Sequence, residues 1–99
     1  MTEQPKSGRA IVLHADDNVA TALEDLPKGT VVRLPGWEGG VTLAEEIKFG
    51  HKFALADLAQ GELVIKYGVA IGKLTQDVKI GQHVHLHNLV TLQWKENDA

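Results

Sequence analysis

A chain of 99 residues, 43% hydrophobic and 23% charged, has the make-up of one globular domain with a modest core. Its net charge of −3 and pI near 5.9, with Lys and Arg scattered, argue against nucleic acid or an anionic membrane as partner. Cysteine is absent, which excludes disulfides, thiolate metal sites and cysteine nucleophiles.

Residues 1–9 are polar and are expected to form a loose tail without the apolar core of a signal peptide. No apolar stretch reaches the roughly 20 residues that cross a bilayer, so the expected location is the cytoplasm. Ala10 to Leu13 suits a short strand. A single short α-helix is expected next. Asp16 or Asp17 can cap it, Val19, Ala22, Leu23 and Leu26 follow the i, i+3, i+4, i+7 pattern, and Pro27 ends it.

The remainder repeats one small unit: an acidic residue, an apolar residue, two more residues, then glycine. Copies start at Asp25, Glu46, Asp57 and Asp77 and end at Gly29, Gly50, Gly61 and Gly81. The apolar residue plugs a core, the chain turns, and glycine takes the positive φ of the turn. Strands are expected after each copy, at Val31 to Leu34, Lys52 to Leu55, Leu63 to Ile65 and His83 to Leu92. The uneven spacing excludes a solenoid. Pro35 to Gly40 reads as a glycine-rich hairpin tip carrying Trp37, placed for an interface or for core packing. Tyr67-Gly68 breaks the next run, and Gly72 suits a bulge or a close backbone approach. Trp94 lies near a loose end at 95–99. The fold class is mainly β, one domain over 10–94, whose exposed strand edges favour association.

Chemistry concentrates in His83-Val84-His85-Leu86-His87-Asn88. On a strand, alternate residues share a face, so three imidazoles would line one surface and offer a divalent metal site. The other reading is a half-buried strand with a polar face of histidine. His14 is a distant metal ligand or a surface residue at the end of the first strand. His51, after Gly50, edges a cleft or simply caps a turn. Lys66 beside Tyr67 can bind a carboxylate or move a proton, or it can be a solvated strand end. There is no P-loop, no GxGxxG and no Gly-x-Ser-x-Gly elbow.

Three stretches together resemble a known family: HADDNVATAL at His14 to Leu23, IKFGHKFAL at Ile47 to Leu55, and VIKYGVAIG at Val64 to Gly72 followed by HVHLHN. They are similar to the SAF-type domain at the N-terminus of altronate dehydratase, to that of galactarate dehydratase, and to the small subunit of sulfolactate sulfo-lyase. The resemblance implies a β-clip fold and a metal-dependent lyase, using Fe²⁺ or Mn²⁺, that removes water from a sugar acid. It implies catalytic roles for His51, Lys66 and Tyr67, substrate contacts for Asn88 and Lys52, and metal ligation by His14, His85 and His87. In the dehydratases this domain adjoins a much larger catalytic region, so the chain is expected to work with a large partner subunit, and Met1 suits a separately encoded gene product. A sulfo-lyase subunit and a free-standing sugar-acid binding module are the alternatives.

Overall fold

The computed structural model describes residues 8–91; the expectations for the two chain ends, Trp94 among them, lie outside this range. Nine short strands follow in chain order: β1 (Ala10–Ile11), β2 (Val19–Ala22), β3 (Val31–Leu34), β4 (Trp37–Thr42), β5 (Lys52–Ala54), β6 (Leu63–Lys66), β7 (Val69–Leu74), β8 (His83–Val84) and β9 (Leu89–Thr91). A central sheet runs β1-β2-β5-β8. One hairpin, β3–β4, and one three-stranded sheet, β6-β7-β9, complete the fold. Every paired strand is antiparallel.

The repeated unit is what builds this architecture. Leu26 and Ile47 exchange both backbone hydrogen bonds, at 2.7 and 2.8 Å, and so do Leu58 and Val78. All four plugs are buried, at 8% exposure or less. The acids close the turns of the opposite copy: Asp25 accepts the Phe49 N–H, Asp57 that of Ile80, and Asp77 that of Gln60. Gly29, Gly50, Gly61 and Gly81 have φ of 88°, 83°, 91° and 87°. The copies also fall into two matched halves. Ala22 to Gly29 and Ala54 to Gly61 both read Ala-Leu-x-Asp-Leu-x-x-Gly, and each leads into a hairpin.

Two cores form on either side of the central sheet. Ala20, Ala22, Phe53 and Leu55 join Leu26, Val32, Val41, Leu43 and Ile47 in one. Val19 and Ala54 join Leu58, Val64, Leu74, Val78, Val84 and Leu89 in the other. Neighbours Phe53 and Ala54 thus point to opposite cores, as a strand requires.

This arrangement overturns the expected helix. No helix occurs among the described residues, and residues 19–22 are a strand paired on both edges, to β1 and to β5. Adjacent Val19 and Ala20 are both 1% exposed while Leu23 is 37% exposed, which one helical face cannot give. A helix of about ten residues relies on tertiary contacts, and here those contacts favour the strand. The glycine-rich tip is also smaller than expected. Only Pro35-Gly36 turns, and Trp37 opens β4, half-buried, with its Nε1–H donating to the Leu55 carbonyl at 3.2 Å. Gly72 does permit a close approach: a Cβ there would lie 2.5 Å from Leu89 Cδ1.

Candidate metal centre

The expected strand from His83 to Leu92 stops after Val84. Residues 85–88 form a turn before β9 begins at Leu89. Asn88 makes that turn. Its Oδ1 accepts the His85 N–H at 2.9 Å, its Nδ2 donates to the His83 carbonyl at 2.8 Å, and its own N–H donates to the His85 carbonyl. Only 3% of Asn88 is exposed, and both ends of its amide are engaged with the histidine backbone. The residue expected at the substrate is therefore placed as a brace for the histidines.

The bend changes which histidines meet. His51 follows Gly50 out of a repeat turn and donates its N–H to the Lys48 carbonyl. His83 sits on β8, opposite Phe53 of β5, with its N–H given to Glu45 Oε2 at 2.9 Å. One ligand nitrogen from each of His51, His83 and His85 falls within 4.8 Å of the others. His51 Nδ1 and His83 Nε2 share a hydrogen bond of 2.9 Å. The three rings stack with centroids 4.2–5.3 Å apart and planes within 13°. His87 is exposed, its ring tilted 40° and centred 5.2 Å from that of His83.

The donor set fits a divalent transition metal. A metal–imidazole bond of about 2.0–2.1 Å lies in the ring plane, so these nearly parallel rings would have to turn for their nitrogens to meet at one ion. Neutral imidazole is the ligating form. Burial, then the charges of His51, His87 and His85, hold His83 below the usual histidine pKa, against an opposing effect of Glu45. Burial, then His51, Lys52 and His87, do the same for His85.

Lys52 lies on β5 beside His51, half-buried, and burial followed by the charge of Lys66 lowers its pKa. Lys66 ends β6, with Nζ 5.1 Å from the centre of the Tyr67 ring. Neither lysine has an ion-pair partner among the described residues. His14 is not part of the imidazole group. Its Nδ1 accepts the Asp16 N–H at 3.0 Å and its ring packs on Gly68. It lines a separate groove of about 630 Å³ with Arg33, Pro35 and Trp37, and none of the other histidines reaches that groove.

His83, a candidate ligand by its alternating spacing, was left out of the ligand set that the resemblance implies. Asp17 was not singled out as a site residue. Read as a helix cap, it is 6% exposed and accepts the N–H groups of Tyr67 and Gly68 at 3.1 and 2.8 Å. No local signal reveals a contact so distant in sequence.

Comparison with known proteins shows the family of the chain. Residues 8–92 match the family described as the altronate/galactarate dehydratase SAF domain. Altronate dehydratase of Escherichia coli (strain K12) is 51% identical over 81 residues, 82% of this chain and 16% of that protein. Subunit alpha of (2R)-sulfolactate sulfo-lyase from Chromohalobacter salexigens is 42% identical over 91 residues, 85% of this chain and 95% of that subunit. Galactarate dehydratase (L-threo-forming) of Escherichia coli (strain K12) is 34% identical over 74 residues. The chain thus spans about one sixth of the altronate dehydratases it matches. Among the described residues no helix is long and apolar enough to cross a membrane.

Proposed function

Since the chain belongs to the altronate/galactarate dehydratase SAF-domain family, we propose that it is the small subunit of a metal-dependent sugar-acid dehydratase of the altronate type. A separate large subunit would supply the rest of the active site. The observation that carries this reading is the convergence of His51, His83 and His85 from separate segments of the chain.

These three imidazoles would hold Fe²⁺ or Mn²⁺, and Asn88 would keep His83 of β8 and His85 of the turn in place. A bound divalent ion supplies Lewis acidity toward the carboxylate and hydroxyl oxygens of a hydroxy acid. Lys52 and Lys66, without carboxylate partners among the described residues, add positive charge that draws an anionic substrate to the same face. Three neutral imidazoles leave coordination positions open, which a catalytic site needs and a closed structural site lacks.

A second reading shares the architecture with a different leaving group. The sulfo-lyase subunit is a small chain that this one matches over 95% of its length, which supports a role in releasing sulfite from sulfolactate. The test is recovery of the large partner with this chain as bait, then assay of the complex with Fe²⁺ or Mn²⁺. A 2-keto-3-deoxy acid formed from altronate supports the dehydratase. Sulfite formed from sulfolactate supports the second reading. A chain that binds sugar acids without a partner or turnover would make it a binding module and refute both.

A further inference from the structure

β8 is two residues long and is an outer strand of the central sheet, yet it carries His83. Its pairing with β5 sets which way the main chain of His83 faces. Ala54 donates its N–H to the Gln82 carbonyl at 3.0 Å, and Phe53 lies opposite His83. Hydrogen-bonded positions alternate along an antiparallel pair. Gln82 and Val84 therefore turn their main-chain groups toward β5. Both main-chain groups of His83 face outward, where a further strand would lie.

Two side chains take the place of that strand. Asn88 donates to the His83 carbonyl at 2.8 Å, and Glu45 accepts the His83 N–H through Oε2 at 2.9 Å. Asn88 belongs to the histidine turn itself, whereas Glu45 comes from the loop after β4. That loop is fixed against the strand. Ala44 donates its N–H to the Gly81 carbonyl at 2.9 Å. A Cβ on Gly81 would overlap the Thr42 carbonyl oxygen, so only glycine lets the two segments lie this close. On the other side of His83, its Nε2 lies 2.9 Å from His51 Nδ1. A ring so placed depends on where its backbone is held.

We infer that Glu45 is a positioning residue of the imidazole group: by holding the outward N–H of His83, it fixes where that ring meets His51 and His85. That the group takes a metal rests on the proposed function; the hold on His83 does not. Glu24 supplies a control. It precedes Asp25 as Glu45 precedes Glu46, and its Oε2 accepts the Arg9 N–H at 3.1 Å beside β1, the opposite outer strand.

The test is calorimetric titration of the full chain with Mn²⁺, beside amide hydrogen exchange and ¹⁵N imidazole spectra. Glu45→Ala is expected to weaken Mn²⁺ binding about 10–100-fold and to speed exchange of the His83 amide. Glu45→Gln keeps an acceptor oxygen and is expected to restore most of both. Glu24→Ala loses a bond of the same kind and should leave Mn²⁺ binding alone. Equal losses in Glu24→Ala and Glu45→Ala would mean a general loosening of the sheet and overturn the inference. Unchanged Mn²⁺ affinity or unchanged His83 exchange in Glu45→Ala would overturn it as well. Glu45→Gln binding as weakly as Glu45→Ala would show that charge acts, not the hold on the N–H, and would also sink it. If the native chain binds no Mn²⁺, the metal reading fails instead, and the ¹⁵N signals of His51 and His83 decide. Signals shifted by Glu45→Ala and restored by Glu45→Gln then uphold the positioning role; signals that neither variant moves remove it.

Discussion

Replacing Asn88 with alanine tests whether the histidine turn is built as described. The side chain makes two hydrogen bonds, to the His85 N–H and the His83 carbonyl, at 2.9 and 2.8 Å, from a position 3% exposed. Each backbone group left without its partner in a largely buried place costs about 1–3 kcal/mol. His83 and His85 are only half-buried, so water recovers part of this, and the expected loss is about 2–3 kcal/mol. For a domain this small that corresponds to a fall in Tm of about 10–20 °C. The metal site should suffer too, because supports of ligating residues are typically worth about 10–100-fold in affinity. Asn88→Asp is a sharper companion. It retains an acceptor for the His85 N–H but points a second oxygen at the His83 carbonyl, so it should be no better than alanine. Urea unfolding of the metal-free chain and calorimetric titration with Mn²⁺ or Fe²⁺ measure both effects. Stability within about 0.5 kcal/mol of the native chain, with unchanged metal affinity, would refute the bracing role.

The remaining expectations use the same assays. His51→Ala, His83→Ala or His85→Ala should each weaken metal binding more than about 100-fold, whereas His14→Ala should leave it alone; equal losses at His14 would place the ion elsewhere. Because His83 and His85 have folded pKa values below 6.5, the unfolded chain takes up their protons first as pH falls. Their contribution to stability is intact above about pH 6.5 and is lost as pH drops through the folded values. The urea midpoint of the metal-free chain should therefore fall between pH 7.5 and about 5, and a flat profile would contradict the shifts. Ile47→Ala removes a fully buried plug and should cost about 2–5 kcal/mol in the same unfolding assay; a loss below about 1 kcal/mol would mean that the Leu26–Ile47 bridge does not anchor its core.

Much of the fold could be read locally. The four acid-plug-glycine units mark turns through residue chemistry alone, since only glycine enters their positive φ freely. Val31 to Leu34 is a strand as expected, and Lys52 to Leu55 and Leu63 to Ile65 need only their ends adjusted. The segment from Asp16 to Leu26 was misleading because its apolar spacing fits a helical face as well as a strand between two cores. Trp37 stood open between an interface and core packing, and only the fold shows it packed against the first core and bonded to Leu55, just past β5.

By itself, the sequence determined where the chain turns, which residues plug the cores and that histidines gather in one short stretch. These are properties of single residues and their near neighbours. Only the tertiary structure decided that residues 19–22 pair on both edges, that Asn88 bends the histidine segment, and that His51 rather than His14 meets His83 and His85. It also decided that Asp17 braces Tyr67. Each of these depends on groups brought together by folding, where desolvation and paired hydrogen bonds outweigh the preferences of a short segment.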